Sequence, residues 1–542
     1  MTSWTLRARA PRTGSGSPGG SVEIVRDPDI LEAFAGDAAH FPGGRAAGVA
    51  TPETEAEAAA LLTATPGSVL VVGAQSSLTG GATPRGDVVI STRRLTGIER
   101  LSVDRVRVQA GVPLFVLEET LAQSDQSYPP VPTFAGAFVG GVVATNAAGA
   151  ATFKHGTTRG WVEALTVVLP DGDVLDIERG TTLAHPEGYF ELELSRGTVR
   201  VPVPTYRMPR LPKLSAGYFA APGMDLVDLF VGAEGTLGVV TSATLRVLPV
   251  RSAQCLVFVP CANPVAAIAL VGELRRLAKQ TWASGDARGL DVSAIEHIDR
   301  RSLQIVREDR PHGIQLPASF DRVELALLVT LDLPPGTGAS QVFDEIGRAV
   351  DADPPDTPVV RFCRLLASTP GVDLDAIEIA APGDRSRAAQ LLAIREAVPT
   401  AVNQRVALAQ QGDPRVEKVA GDLIVPFERF DALVARCHAE ANRRSLDLAI
   451  WGHVSDGNIH PNVVPRSLAD VEAGKEAVLA MGRAAIELGG APLAEHGVGR
   501  NPVKQELLRL LYGDDGIEQM RRVKRAIDPS WKLAPGVLFS RE

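Results

Sequence analysis

Apolar and polar residues alternate in short blocks along most of the chain, and the periods of those blocks predict a mixture of strands and helices. From Val49 the first block is a polar, Ala-rich helix from about Glu53 to Thr63, followed by the apolar run Ser68 to Gly73, which reads as a buried strand. Asp87 to Thr92 reads as another. Arg105 to Ala110 alternates as a half-exposed strand does, and Pro113 to Gln123 reads as a helix. Ala164 to Leu169 and Val174 to Glu178 flank Pro170, Asp171 and Gly172, whose turn chemistry predicts a hairpin. Beyond Pro249 the character shifts to alternating helices and strands such as Pro264 to Ala278 and Arg322 to Leu331, so a domain boundary falls near residue 250.

Prolines at 186, 202, 204, 209 and 212 exclude a long helix between residues 181 and 216. An irregular insertion is expected there, covering a site or an interface. Asp351 to Pro358 is expected as a surface loop of the second domain. Residues 1–44 read as a tail and lead-in. Arg7, Arg9 and Arg12 stand without an acid in the first twenty residues, but Pro and Gly interrupt any amphipathic helix, so a floppy tail is expected rather than a transit peptide.

Composition changes this picture little. With 542 residues, 45% hydrophobic and 22% charged, the chain is an ordinary globular sequence long enough for two or three units. A net charge of −9 gives no large cationic surface and argues against nucleic acid as a partner. The cysteines, Cys255, Cys261, Cys363 and Cys437, lack the clustered spacing of an iron–sulfur site and fit a reduced, cytoplasmic chain. No run approaches the roughly 18 continuous apolar residues of a membrane span, so any membrane contact is expected to be peripheral.

Glycines carry the first candidate chemistry. The strand at Ser68 to Val72 runs into Gly73-Ala74-Gln75-Ser76-Ser77-Leu78-Thr79-Gly80-Gly81, where backbone amides can converge on a phosphate. Alone, the loop is equally a tight turn, and its spacing is neither a Rossmann fingerprint nor a P-loop. A second cluster runs from Phe134 to Gly149 and on through Lys154-His155-Gly156-Thr157-Thr158-Arg159, with small residues against which a flat ring could lie. The third is Phe230-Val231-Gly232-Ala233-Glu234-Gly235-Thr236-Leu237-Gly238-Val239-Val240-Thr241. In this order and at these separations, across residues 45–250, the segments resemble the FAD domain of the vanillyl-alcohol oxidase and p-cresol methylhydroxylase family. The resemblance implies FAD contacts from Gly73, Ala74, Gln75, Ser76, Ser77, Leu78, Gly140, Gly141, Thr145, Asn146, Gly149, Gly156, Thr157, Glu234, Gly235, Gly238 and Val240. Three positions depart from the family pattern: Ala74-Gln75 replaces a glycine run, Asn146-Ala147-Ala148-Gly149 lacks one glycine, and Gly160 stands where an aspartate is typical. None removes a charge that phosphate binding needs. His155 is the one candidate for covalent attachment, and a noncovalent flavin is expected.

The second cluster is Trp451-Gly452-His453-Val454-Ser455-Asp456-Gly457-Asn458-Ile459-His460-Pro461-Asn462, in which a tight reversal can bring two imidazoles to one point. Ala494-Glu495-His496-Gly497-Val498-Gly499 offers a carboxylate, and two histidines with one carboxylate suit a catalytic divalent ion; satisfied loop histidines are the other reading. These segments are similar to the C-terminal domain shared by FAD-linked D-lactate dehydrogenases, the glycolate oxidase flavin subunit and D-2-hydroxyglutarate dehydrogenases. The resemblance implies His453, His460 and Glu495 as ligands of Zn or Mn/Fe, His496 as general base, and Asn458 and Asn462 beside flavin or substrate. Ile394 to Pro399 and Lys418 to Pro426 also match, which makes Arg395 and Lys418 the grip on a substrate carboxylate.

The expected fold class is therefore α+β: a two-subdomain FAD-binding domain at 45–250, an α+β cap domain at 251–495 with an antiparallel sheet and flanking helices, and a segment at 496–542 returning to the FAD domain. The expected reaction is FAD-dependent oxidation of a small, D-configured 2-hydroxy acid. An oxidase of another alcohol, sugar or phenol is the alternative within enzymes, and a noncatalytic flavin-domain subunit is the alternative outside them. Electrons would pass to a quinone, a cytochrome, a redox subunit or oxygen, and a homodimer stays open.

Overall fold

The Ala-rich block after Val49 forms the helix Glu55–Ala64, started by Thr54, whose side chain accepts the Glu57 amide. It packs beside a three-stranded parallel sheet in the order Gly48–Ala50, Val88–Ser91, Val69–Val72. Leu61, Leu62, Val69 and Ile90 share one core cluster with Val168, Val174 and Val239 of a second, five-stranded antiparallel sheet. That sheet runs Ile98–Arg100, Arg105–Gln109, Val239–Arg246, Val162–Val168, Val174–Glu178, the last two strands being the hairpin expected around Pro170. The computed structural model describes residues 3–12, 22–130, 132–248, 250, 252–311, 314, 316 and 323–542. The chain divides into two compact units, the first comprising residues 1–149, 156–249 and 493–542, the second residues 150–155 and 250–492.

Two expectations for the first unit are corrected. The described start of the chain is tied down rather than floppy: Thr5–Arg7 pairs in parallel with Tyr189–Leu194, and Arg9 is held by Glu55 and Asp176. The segment 181–216 is not irregular throughout, because Tyr189–Leu194 and Gly197–Pro202 form an antiparallel hairpin. The alternation of buried and more open positions along Tyr189–Leu194 is a strand signal that the flanking prolines obscured. The C-terminal segment also builds this unit. The Val69 amide donates to the Lys532 carbonyl at 2.8 Å, the Ala534 amide donates to the Val69 carbonyl at 2.7 Å, and Leu533 is buried in the core.

In the second unit the strands form one antiparallel sheet in the order Glu378–Ala380, Ala253–Cys261, Leu325–Leu333, Asp291–Asp299, Leu448–Gly452, Asn458–Val463, Val419–Ala420, with Leu423–Ile424 also on Asn458–Val463. Helices Arg300–Asp309 and Arg385–Gly412 cover it through Leu303, Val306, Leu391, Val398 and Val402. Residues 150–155, expected within an unbroken first domain, belong here for an electrostatic reason. Lys154 Nζ bonds Asp291 at 2.7 Å and Asp332 at 2.6 Å, and Phe153 packs on Trp282.

Candidate active site

In the first unit the glycine segments are brought together by backbone hydrogen bonds. The amides of Gly232 and Glu234 donate to the carbonyls of Val143 and Ala144, joining the third segment to the helix Val139–Ala144 of the second. The Gly140 amide donates to Ala110. Gly73 stands against Phe138, and Gly81 lies beside Gly499 and Glu234. A side chain at Gly141, Gly156 or Gly235 would meet no protein atom within 4 Å, so bare backbone at these positions faces open space that suits a flat or extended cofactor. This cradle fits FAD.

Several assigned residues also hold the cradle itself. Gln75 donates to the carbonyls of Ala33 and Gly36, and Ser77 Oγ accepts the amides of Thr79 and Gly81. Thr145 Oγ1 bonds Gly141, and Asn146 accepts the Arg159 amide while donating to the Leu214 carbonyl. Leu78 is exposed, Val240 lies in the strand Val239–Arg246, and Gly238 touches Val167. Gly73, Ala74, Ser76 and Thr157 are partly exposed, and Gly149 closes the second segment.

Glu234 has both carboxylate oxygens in use: they accept the amides of Val498 and Gly499, each at 2.8 Å. Burial pushes its carboxyl up to about 7 against that hydrogen bonding. The carboxylate thus holds the turn that follows Glu495 and His496, the latter with Nε2 3.5 Å from Glu495 Oε1. Sequence reasoning missed Lys213, a fully buried cation whose Nζ lies 2.7 Å from Glu495 Oε2. Its neighbours anchor it, since the Asn146 side chain reaches the Leu214 carbonyl and Ser215 Oγ donates to Thr145. A lysine between Pro212 and Leu214 in a proline-rich stretch gives no periodic signal of burial.

In the second unit the strand Leu448–Gly452 delivers His453 to a single helical turn, Val454–Asp456, and the chain returns along Asn458–Val463 with His460. Two glycines permit the reversal. Gly457 has φ +84 and a Cβ there would lie 2.1 Å from the Val425 carbonyl oxygen; at Gly452 it would lie 2.5 Å from that of Asn458. The two imidazoles are buried and perpendicular, with centroids 5.5 Å apart.

His453 Nδ1 is 2.9 Å from Glu296 Oε1, and His460 Nδ1 is 3.5 Å from Asp422 Oδ1. With its Nδ1–H given to Glu296, the neutral His453 ring carries its lone pair on Nε2, the form in which histidine binds a metal; His460 Nδ1 makes no such hydrogen bond. The donor chemistry of this pair fits a divalent ion. Neither acid was singled out from the sequence. Glu296 sits in a strand that also carries Ser293, His297 and Asp299, so nothing marks it out, and Asp422 lies within the matched segment Lys418 to Pro426.

Arg395 is buried on the helix Arg385–Gly412, where its Nε donates to Glu296 Oε2 at 3.3 Å. Pro399, with no amide hydrogen, cannot donate to the Arg395 carbonyl. Lys418 is half-buried, and desolvation alone pulls its ammonium down to about 8. Asn458 donates to Asp422 at 3.1 Å and to the Leu423 carbonyl, and Asn462 donates to the His460 carbonyl. Among the described residues, no helix is long and apolar enough to cross a membrane.

Residues 46–178 match the FAD binding domain model, and residues 263–538 match that of FAD linked oxidases, C-terminal domain. A D-lactate dehydrogenase of Anaerostipes hadrus is 28% identical over 86% of this chain and 82% of its own length. A D-2-hydroxyglutarate dehydrogenase of Xanthomonas citri pv. viticola is 27% identical over 87% and 84%, and the glycolate oxidase subunit GlcD of Bacillus subtilis 26% over 87% and 83%. The solved alkyldihydroxyacetonephosphate synthase shares the fold, with a TM-score of 0.57 at 13% identity, over 98% of this chain and 88% of that one. Because the C-terminal model alone spans just over half of the sequence, the chain belongs to the family of FAD-linked oxidases.

Proposed function

We propose that this FAD-linked oxidoreductase converts a small, D-configured 2-hydroxy acid to the 2-oxo acid. The observation that carries the substrate class is Lys418, a half-buried ammonium whose desolvation is offset by no anion among the described residues. A ligand carboxylate would supply that anion. Arg395 brings a second positive charge to the same unit. The names D-lactate dehydrogenase, D-2-hydroxyglutarate dehydrogenase and glycolate oxidase subunit all point to 2-hydroxy acids.

In this reading the glycine cradle holds FAD noncovalently, and His453, His460 and Glu495 are the ligands of a divalent ion, Zn or Mn/Fe. Once bound, FAD would supply the two-electron acceptor and the ion Lewis acidity. Arg395 and Lys418 orient the substrate carboxylate, Asn458 and Asn462 supply polar contacts, and His496 takes the hydroxyl proton on an imidazole nitrogen.

The test is anaerobic mixing of the flavin-loaded protein with D- and L-2-hydroxy acids, simple alcohols, sugars and phenols, followed by absorbance and by metal analysis of the same sample. D-2-hydroxy acids are expected to bleach the flavin. Bleaching by a neutral alcohol, sugar or phenol and by no 2-hydroxy acid would overturn the substrate class.

A further inference from the structure

Glu296 lies in the strand Asp291–Asp299, where its neighbours Ile295 and Ile298 are core residues and its own side chain is about nine-tenths buried. A carboxylate withdrawn from water is costly unless its oxygens are matched by donors. Glu296 matches them with two groups of different expected use: Oε1 with His453 Nδ1 at 2.9 Å, Oε2 with Arg395 Nε at 3.3 Å. The strand register makes this possible, since His297 pairs with Gly452 and so sets Glu296 beside the end of the strand that delivers His453. Asp422, with no exposed surface, takes the Asn458 amide but lies 3.5 Å from His460 Nδ1, which forms no hydrogen bond with it.

We infer that Glu296 is a positioning residue that couples two parts of the site, orienting His453 for the metal and Arg395 for the substrate carboxylate at once. The inference rests on the proposed function, in which His453 is a ligand and Arg395 a substrate contact. Its physical content is a shared acceptor. With Nδ1–H held by Oε1, the His453 ring is fixed in rotation and tautomer, and its Nε2 becomes a better donor to a cation. The same carboxylate fixes the guanidinium through Nε, which leaves the terminal NH2 groups as the pair suited to grip a carboxylate. If Glu296 served only to neutralise Arg395, its removal would weaken substrate binding and leave metal affinity unchanged.

The experiment measures metal affinity by chelator competition on the full-length, flavin-loaded protein without substrate, using Zn²⁺ and Mn²⁺ as probes, and then KM and kcat for the best hydroxy acid at saturating metal. Glu296→Gln is expected to lower metal affinity about 10–100-fold and also to raise KM. Arg395→Lys, which keeps the charge but loses the fixed Nε–H, is expected to raise KM and to weaken metal binding several-fold with no substrate present. That last effect is foreign to a residue that only binds substrate, and it keeps the coupling testable if Glu296→Gln does not fold. Wild-type protein that binds metal, with Glu296→Gln or Arg395→Lys binding it equally well, would overturn the coupling alone. Wild-type protein that binds neither ion would overturn the metal reading, and the coupling with it.

Discussion

Burial strips water from the Lys418 ammonium without supplying an anion, which is why it titrates near 8 rather than in the ordinary lysine range. Below that pH the free enzyme carries the cation; above it the charge is lost. Log kcat/KM for a 2-hydroxy acid, which follows the free enzyme, should therefore fall above about pH 8. In Lys418→Arg the alkaline limb should move to higher pH, because a guanidinium stays protonated. An unmoved limb in that variant would remove Lys418 from substrate binding. At this scale the sequence was readable where a residue type is rare or bracketed, as with His453 and His460 around their glycine turn. It was unreadable at Glu296, Asp422 and Lys213, ordinary charged residues whose importance arises from partners distant in sequence: Arg395 and His453 for Glu296, Glu495 for Lys213.

At the scale of elements, the reversal from Leu448–Gly452 to Asn458–Val463 is held by a residue with positive φ and a backbone in contact. Gly457→Ala must both strain the left-handed position and displace the Val425 carbonyl, so a loss on the order of 2–3 kcal/mol is expected. Thermal unfolding of the variant checks it, and metal affinity should fall with stability because His453 and His460 flank the turn. A variant as stable as wild type would mean that the turn relaxes at no cost. Strands with clean alternation or continuous apolar runs were legible as sequence. The hairpin Tyr189–Leu194 with Gly197–Pro202 was not, since the neighbouring prolines suggested irregular chain, and its place is set by pairing with Thr5–Arg7 and by Arg196 bonding the Ala526 and Ile527 carbonyls.

At the scale of the molecule, neither unit is a continuous stretch of sequence. The first is completed by the last fifty residues, with Leu533 in its core and Lys532 and Ala534 paired to Val69. Lys524 Nζ bonds Asp528 and the Leu533 carbonyl in the same region, at 2.6 and 2.8 Å. Truncation after Asp528 removes the burial of Leu533, worth about 2 kcal/mol by itself, together with this edge pairing. The truncated protein is expected to melt at lower temperature and to lose FAD on gel filtration. Retention of FAD at the wild-type melting temperature would show that the C-terminal segment is dispensable to the first unit.

Local chemistry explains what the sequence determined by itself: α+β character, each glycine segment and the histidine turn. Each depends on residues near one another in sequence, where periodicity, backbone freedom and donor type act directly. Tertiary structure alone decided which charged residues are buried together. It set Glu296 between His453 and Arg395, Asp422 beside His460, Lys213 on Glu495 and residues 150–155 on Asp291 and Asp332. Those pairings follow from strand register and from desolvation, which act across more than a hundred residues between Glu296 and His453 and leave no trace in local pattern.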